Sequence, residues 1–421
     1  MTAERTKALS SPVGSEGTTA KAQLPNLLAD AVSRLFTRAA DRQVAPASLV
    51  ELKTILLDAT QPRVVRLRSA KRLATTFGET GLAILKEAAA SPDTVVRALV
   101  AEALGECRTL EAREVVLTLV SDADAIVQRR ALQSLGAYGD ATVLELLTTR
   151  LAQAIESDGA TKEVLQALAR NPAPAATVIL QDALSTAGRA RDQSDILVAL
   201  GQRPLEQTQR FFESYLRSPN TAAEMRVVAV QAFEGATYPV TAFLLPYVDD
   251  QDPDVRAAAI WSIATAEDGA GAANTLVARL TVEEESDVRL RLYQALNQFG
   301  AIDVQAVLGR IVTETDLPAQ VAGYGLWANQ CRLSRDSALG IEFDRIAVPL
   351  LADTALSAAA LSQRLQAVIA LRQAKTGGAT QALQTIAANS TDDRVAAAAR
   401  GGIDRLGVGV PIAINTKTTG G

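Results

Sequence analysis

The side chains that could do chemistry are defined first by an absence: among 421 residues there is no histidine. That removes the usual general base near neutral pH and the commonest metal ligand. Zinc sites and Ser-His-Asp or Cys-His triads go with it. Cys107 and Cys331 are the only thiols, so there is no disulfide framework, and each reads as a small buried apolar residue. No metal or other cofactor is expected, although oxygen ligands for calcium or magnesium are plentiful.

Two charged constellations remain. PRVVRLRSAKR places Arg63, Arg66, Arg68, Lys71 and Arg72 within three helical turns, where they could receive an acidic partner or a phosphate backbone. No aromatics interleave for base stacking, and the chain holds 42 Lys/Arg against 47 Asp/Glu, a net −5. Residues 1–78 carry twelve basic and six acidic side chains, a local +6 that leaves −11 for the rest. A solvated helix face is the reading adopted for this patch, and nucleic acid is not expected as a partner. In the second constellation Asp93 and Arg97, Asp252 and Arg256, and Glu285 and Arg289 stand four apart, on one helix face each. They read as caps and repeat-to-repeat salt bridges rather than as a binding ladder.

The elements that must position these groups follow from one recurring phrase. In SPDTVVRALVAEALG, with Val96 as position zero, Val100, Ala103 and Leu104 mark positions four, seven and eight of a buried helical face, and Arg97 stands at position one. The frame returns at Val65 and Arg66, Val127 and Gln128, Met225 and Arg226, Val255 and Arg256, and Val288 and Arg289, with weaker copies between. A second helical pattern lies between each pair of copies. About eleven helix pairs result, stacked because a lone pair cannot bury its apolar face. Asp93 and Asp252 read as N-caps, and Gly105, Gly136 and Gly300 as C-cap glycines. The fold predicted is an all-α solenoid.

Position six of the frame reads Lys71, Glu102, Gln133, Gln166, Val198, Gln231, Trp261, Gln294, Trp327, Ile369 and Gly401. Mostly polar, it is expected to be exposed, and it contains both tryptophans. Trp261 and Trp327, with Arg291, Tyr293, Gln294 and Tyr324 close by, form the candidate partner-binding strip.

An acidic or Pro-Asp turn followed by Val-Arg and then alanines at four and seven resembles the HEAT repeat, in particular the bacterial PBS-lyase HEAT-like repeat, over roughly residues 48–406. The resemblance implies a solenoid whose second helices line the concave side, and a scaffold for a protein or peptide partner, with the acidic body favouring a basic one. The enzymes that the same resemblance brings up are a bilin-lyase-like subunit, a HEAT-like DNA-binding or DNA-repair protein, and deoxyhypusine hydroxylase, whose His-Glu iron site needs the histidines this chain lacks. A non-enzymatic role is therefore the expectation.

LPNLLADAVSRLFTRAADR is amphipathic, so residues 24–47 read as a capping helix and linker, and 1–23 and 407–421 as tails. Copies at 159–170, 190–201 and 355–374 depart from the pattern, and the spacing near 364 is about ten residues too long. The stretch RDSALGIEFDRIAVPLLADTAL is expected to hold longer helices or an insertion. No segment is long and apolar enough to span a membrane, and a cytoplasmic location is the default expectation, with a secreted or periplasmic form after signal-peptide removal as the alternative.

Overall fold

The computed structural model describes residues 48–405 apart from 158, 160 and 335. The capping helix and tails expected at 1–47 and 407–421 lie outside the described residues. Within them, eleven helix pairs follow one another and there is no strand. The second helices are Arg63–Thr76, Thr94–Leu104, Ala125–Leu135, Lys162–Arg170, Ala190–Gly201, Ala223–Gln231, Pro253–Thr265, Ser286–Leu296, Leu317–Ser334, Leu361–Ala374 and Asp393–Arg405. Each packs on the next in direct succession, and this layer is mostly the more closely packed of the two, so the array curves toward it. The irregular stretch resolves into long helices: Leu317–Ser334 is followed by Ser337–Ser357, which carries Pro349 inside it.

The frame explains the core. Positions four, seven and eight are buried in nearly every copy and position zero in most, as in Val96, Val100, Ala103 and Leu104 or Val255, Ala259, Ser262 and Ile263. Position five is buried as well, as Ala70, Ala101 and Ile260 show, which the sequence reading did not include. Small residues at these contacts let neighbouring helices approach. In the sixth and seventh pairs the gap is instead filled by rings, with Phe212 against Phe233 at 4.7 Å and Phe233 against Phe243 at 5.1 Å between centroids.

The caps at the starts of these helices form as expected. Asp93 accepts from the Val95 amide at 2.8 Å and Asp252 from the Asp254 amide at 2.9 Å. Gly105 and Gly136 stand at the C-caps of Thr94–Leu104 and Ala125–Leu135 as expected, and they do something further. Gly105 and Gly136 are right-handed, at φ −61 and −57. A Cβ on Gly105 would lie 2.9 Å from Ser134 Oγ, and one on Gly136 would lie 2.8 Å from the Ala167 carbonyl. They are there to admit the next helix. Gly300 meets nothing within 4 Å, and positive φ among the described glycines belongs to Gly78 and Gly235.

One buried cation has no carboxylate among its hydrogen-bond partners. Arg203 donates to the carbonyls of Leu168 (2.7 Å), Asn171 (2.8 Å) and Ala173 (2.9 Å), and to Thr177 Oγ1 and Gln207 Oε1. It sits at the C-terminal end of Lys162–Arg170, where free carbonyls and the helix dipole favour positive charge.

Candidate partner-binding surface

Position one is the first place where the frame holds charge. The four-apart pairs of the sequence reading do not close on each other. Arg97 instead reaches the following repeat, bidentate to Asp122 at 2.7 and 2.9 Å, and folds back on its own turn to the Ser91 carbonyl at 2.8 Å. Arg256 does the same with Glu283 (3.0 and 2.9 Å) and the Asp250 carbonyl (2.9 Å), and Arg289 with Glu314 (2.6 and 2.8 Å). Arg66 meets Asp93, and Arg226 meets Asp250. These repeat-to-repeat bridges consume the ladder, leaving it nothing to offer a ligand. Where position one is glutamine only the backward bond remains, from Gln128 to the Asp122 carbonyl (2.6 Å) and from Gln193 to that of Ala187 (2.7 Å).

The pairs set a pH limit. The Arg97 hydrogen bond holds the Asp122 carboxyl below its ordinary range. Burial alone would push Glu283 and Glu314 up, yet Arg256 and Arg289 together with backbone amides hold both below it. A carboxylate lowered in the folded state contributes stability that is complete above its unfolded pKa, about 4, and is lost as pH falls through the folded value. The melting temperature should therefore drop steeply below about pH 4. Unchanged melts between pH 5 and 3 would show that these pairs contribute nothing.

The basic run is largely spent in the same way. Arg66 is buried and bridges the Leu56 carbonyl and Asp93, Arg63 meets Glu102 at 3.3 Å, and Lys71 meets Glu106 at 2.6 Å. Arg68 stays exposed and Arg72 half-buried. The five do not form one free cationic patch.

Position six is where the array is open. Lys71, Glu102, Gln133, Gln166, Gln231, Trp261, Gln294 and Ile369 are exposed or half-buried. Trp261 is held from both sides by neighbouring repeats: its Nε1 donates to Glu234 Oε1 at 2.8 Å, and the Arg291 guanidinium lies 4.9 Å from its ring centroid. Arg291 also donates to Gln294 Oε1 at 3.2 Å. Beside the indole is a groove of about 320 Å³ floored by Val227, Ala257 and Ala258 and rimmed by Glu224, Gln231, Asp254 and Arg291.

Trp327, Tyr293 and Tyr324 do not join it, because all three are buried. For Trp327 the cause is register. Gln320 donates to the Glu314 carbonyl six residues back, as Gln128 does to Asp122, and Asp316 caps Ala319 as Asp124 caps Val127. Position zero of the ninth copy is therefore Ala319, two residues before the Val321 implied by the sequence reading. Trp327 falls at buried position eight, and position six is Gly325. Tyr293 and Tyr324 both occupy position five, inside the core. The signal was present in the sequence: Asp316-Leu317-Pro318-Ala319-Gln320 places an aspartate three before position zero, as Asp252 stands before Val255.

No group of three or more His, Cys, Asp or Glu that could hold a metal occurs among the described residues. Cys331 is buried, and that burial pushes its thiol up to about 12, while Cys107 is half-buried. No helix among the described residues is long and apolar enough to cross a membrane.

A solenoid of stacked helix pairs with a repeat-to-repeat polar ladder defines a class, and residues 82–169, 209–297 and 241–322 match the family described as HEAT repeats. Those segments carry HEAT repeats, and the described residues as a whole form an all-α solenoid. No curated protein sequence matches it. Among solved structures, human deoxyhypusine hydroxylase in complex with glycerol is 16% identical over 85% of this chain and 96% of that one, with a TM-score of 0.25. The complex of CpcE and CpcF of phycocyanin lyase from Nostoc sp. PCC7120 is 17% identical over 68% and 96%, with a TM-score of 0.32. Kap121p bound to RanGTP is 12% identical over 85% and 45%, with a TM-score of 0.36. At these values the likenesses say nothing about activity.

Proposed function

We propose that this chain is a non-enzymatic scaffold that binds a protein or peptide partner along its second-helix face, with the contact centred on Trp261. The observation that carries the reading is an indole clamped by Glu234 and Arg291 yet still half-exposed, in a column otherwise made mainly of polar or small side chains. A pre-positioned aromatic loses little freedom on binding, which is what makes tryptophan a frequent hot spot. The exposed carboxylates of Glu224 and Asp254 at the rim favour a basic partner. A scaffold also suits a chain in which Asp122, Glu283 and Glu314, each held below the ordinary carboxylate range, are engaged by arginines that join repeats.

Trp261→Ala should weaken partner capture by about 2 kcal/mol, roughly 30-fold, and leave thermal stability nearly unchanged. Reversing the rim charges by Glu224→Lys and Asp254→Lys should slow association with a basic partner. Capture that survives both changes at full strength would remove this surface from consideration.

A further inference from the structure

The residue immediately before position zero carries a second pattern, and it divides the array. In the sixth to eighth copies it is Glu224, Asp254 and Asp287, first-turn acids that the helix dipole favours. In the first three copies it is Val64, Val95 and Ile126, which are 67%, 40% and 57% exposed. Branched aliphatics in an exposed first helical turn gain nothing from capping or propensity. Single exposed valines need no explanation, but three in one column on three successively packed helices form a row. At helix-packing distance the row has steps of roughly 10 Å and spans about 20 Å.

We propose that this row is a docking surface for one amphipathic α-helix of a partner protein, with an acidic flank. The row offers aliphatic carbons, so an extended segment laid on it would leave its own backbone amides and carbonyls without partners, whereas a helix satisfies them internally. Apolar residues seven apart on a helix rise about 10.5 Å, which matches the step between copies. The flank follows from charge. One turn along the same helices stand Arg68, which is exposed, and Arg129 and Arg130, against the carboxylates Glu102 and Glu163. On the turn side, Asp93 and Asp124 are engaged by Arg66 and by backbone amides. The inner flank is therefore net cationic and selects acid. The chain's own segment 24–42 carries three arginines and two aspartates, the wrong sign for that flank. This surface is separate from the Trp261 groove, and neither reading depends on the other.

The probe is a labelled helical peptide of about 21 residues with leucines at i, i+7 and i+14 and glutamates along one flank, titrated against the full chain by fluorescence anisotropy. Saturable binding is expected, weakened about tenfold or more by Val95→Asp and by Ile126→Asp, and unchanged by Trp261→Ala. A twin peptide with lysines on the flank should bind about tenfold more weakly at low salt. Absence of saturation, equal binding of the twins, or indifference to both aspartates would each overturn the proposal. Tighter peptide binding after removal of residues 1–47 would assign the row to the chain's own N-terminal residues and overturn the partner assignment.

Discussion

Trp327→Ala is expected to destabilise the chain by about 3–5 kcal/mol, the range for removing a buried ring. The indole is fully enclosed, with Phe343 edge-on at 5.6 Å and Tyr324 at 6.5 Å between centroids. Its loss opens a cavity where the ninth and tenth repeats meet. Trp327→Phe should cost much less, because the Trp327 Nε1 makes no hydrogen bond and its removal strands no partner. The Trp261 groove lies two repeats away, so the folded fraction of either variant should capture a partner as the parent does. Thermal and denaturant melts with parallel capture assays decide the matter. A Trp327→Ala protein that melts like the parent would place the ring outside the core.

Glu283→Ala is expected to cost a similar 3–5 kcal/mol, for an electrostatic reason. This one carboxylate is buried, receives Arg256 at 2.9 and 3.0 Å and Arg279 at 2.6 Å, and accepts the amides of Glu284 and Glu285 at 3.1 and 3.0 Å. Its removal leaves the largely buried Arg256 guanidinium without a counter-charge, leaves Arg279 with only Asp249 at 3.4 Å, and leaves the start of Ser286–Leu296 without its acceptor. Combining Glu283→Ala with Arg256→Met should recover part of the loss, since an unpaired cation costs more than an absent pair. Strict additivity of the two substitutions would show that they do not interact in the fold.

The solenoid was legible because its determinants are local and repeated. The apolar spacing, the turn aspartates and, in the clearer copies, the arginine after position zero recur in the same place, so the strong copies reinforce the weak ones. The site was less legible because exposure hangs on register, and a two-residue slip on a helix turns a side chain by about 200°. Reading Val321 as position zero moved Trp327 from the core to the surface. Alanines and glycines surround it, and apolar spacing alone cannot fix a register there. The aspartate and the glutamine at Asp316 and Gln320 could have. Tyr293 and Tyr324 were misplaced for a different reason, since position five faces the next repeat and is buried only by stacking. Arg203 lay beyond sequence reading altogether: most of its acceptors are carbonyls of the preceding repeat, and carbonyls leave no mark on residue type.

The arginines that reach the next repeat's turn acid are spread unevenly, and that changes how the repeats are joined. Repeats one to three and six to nine are riveted from each to the next by Arg66, Arg97, Arg226, Arg256 and Arg289. Gln128, Thr161 and Gln193 hold the equivalent place in repeats three to five, and the matching positions in the following turns, Ile155, Ala187 and Asn220, carry no acid. The array is thus joined in two ways: arginine–carboxylate bridges hold the two outer spans, whereas the middle repeats are tied by Arg129 to Glu163, by Asn171 to the Tyr138 carbonyl and by Arg203 to the carbonyls of the repeat before it. The Val64, Val95 and Ile126 row rides on the first span and the Trp261 groove on the second, so each surface is framed by helices that arginine–carboxylate bridges hold in fixed register.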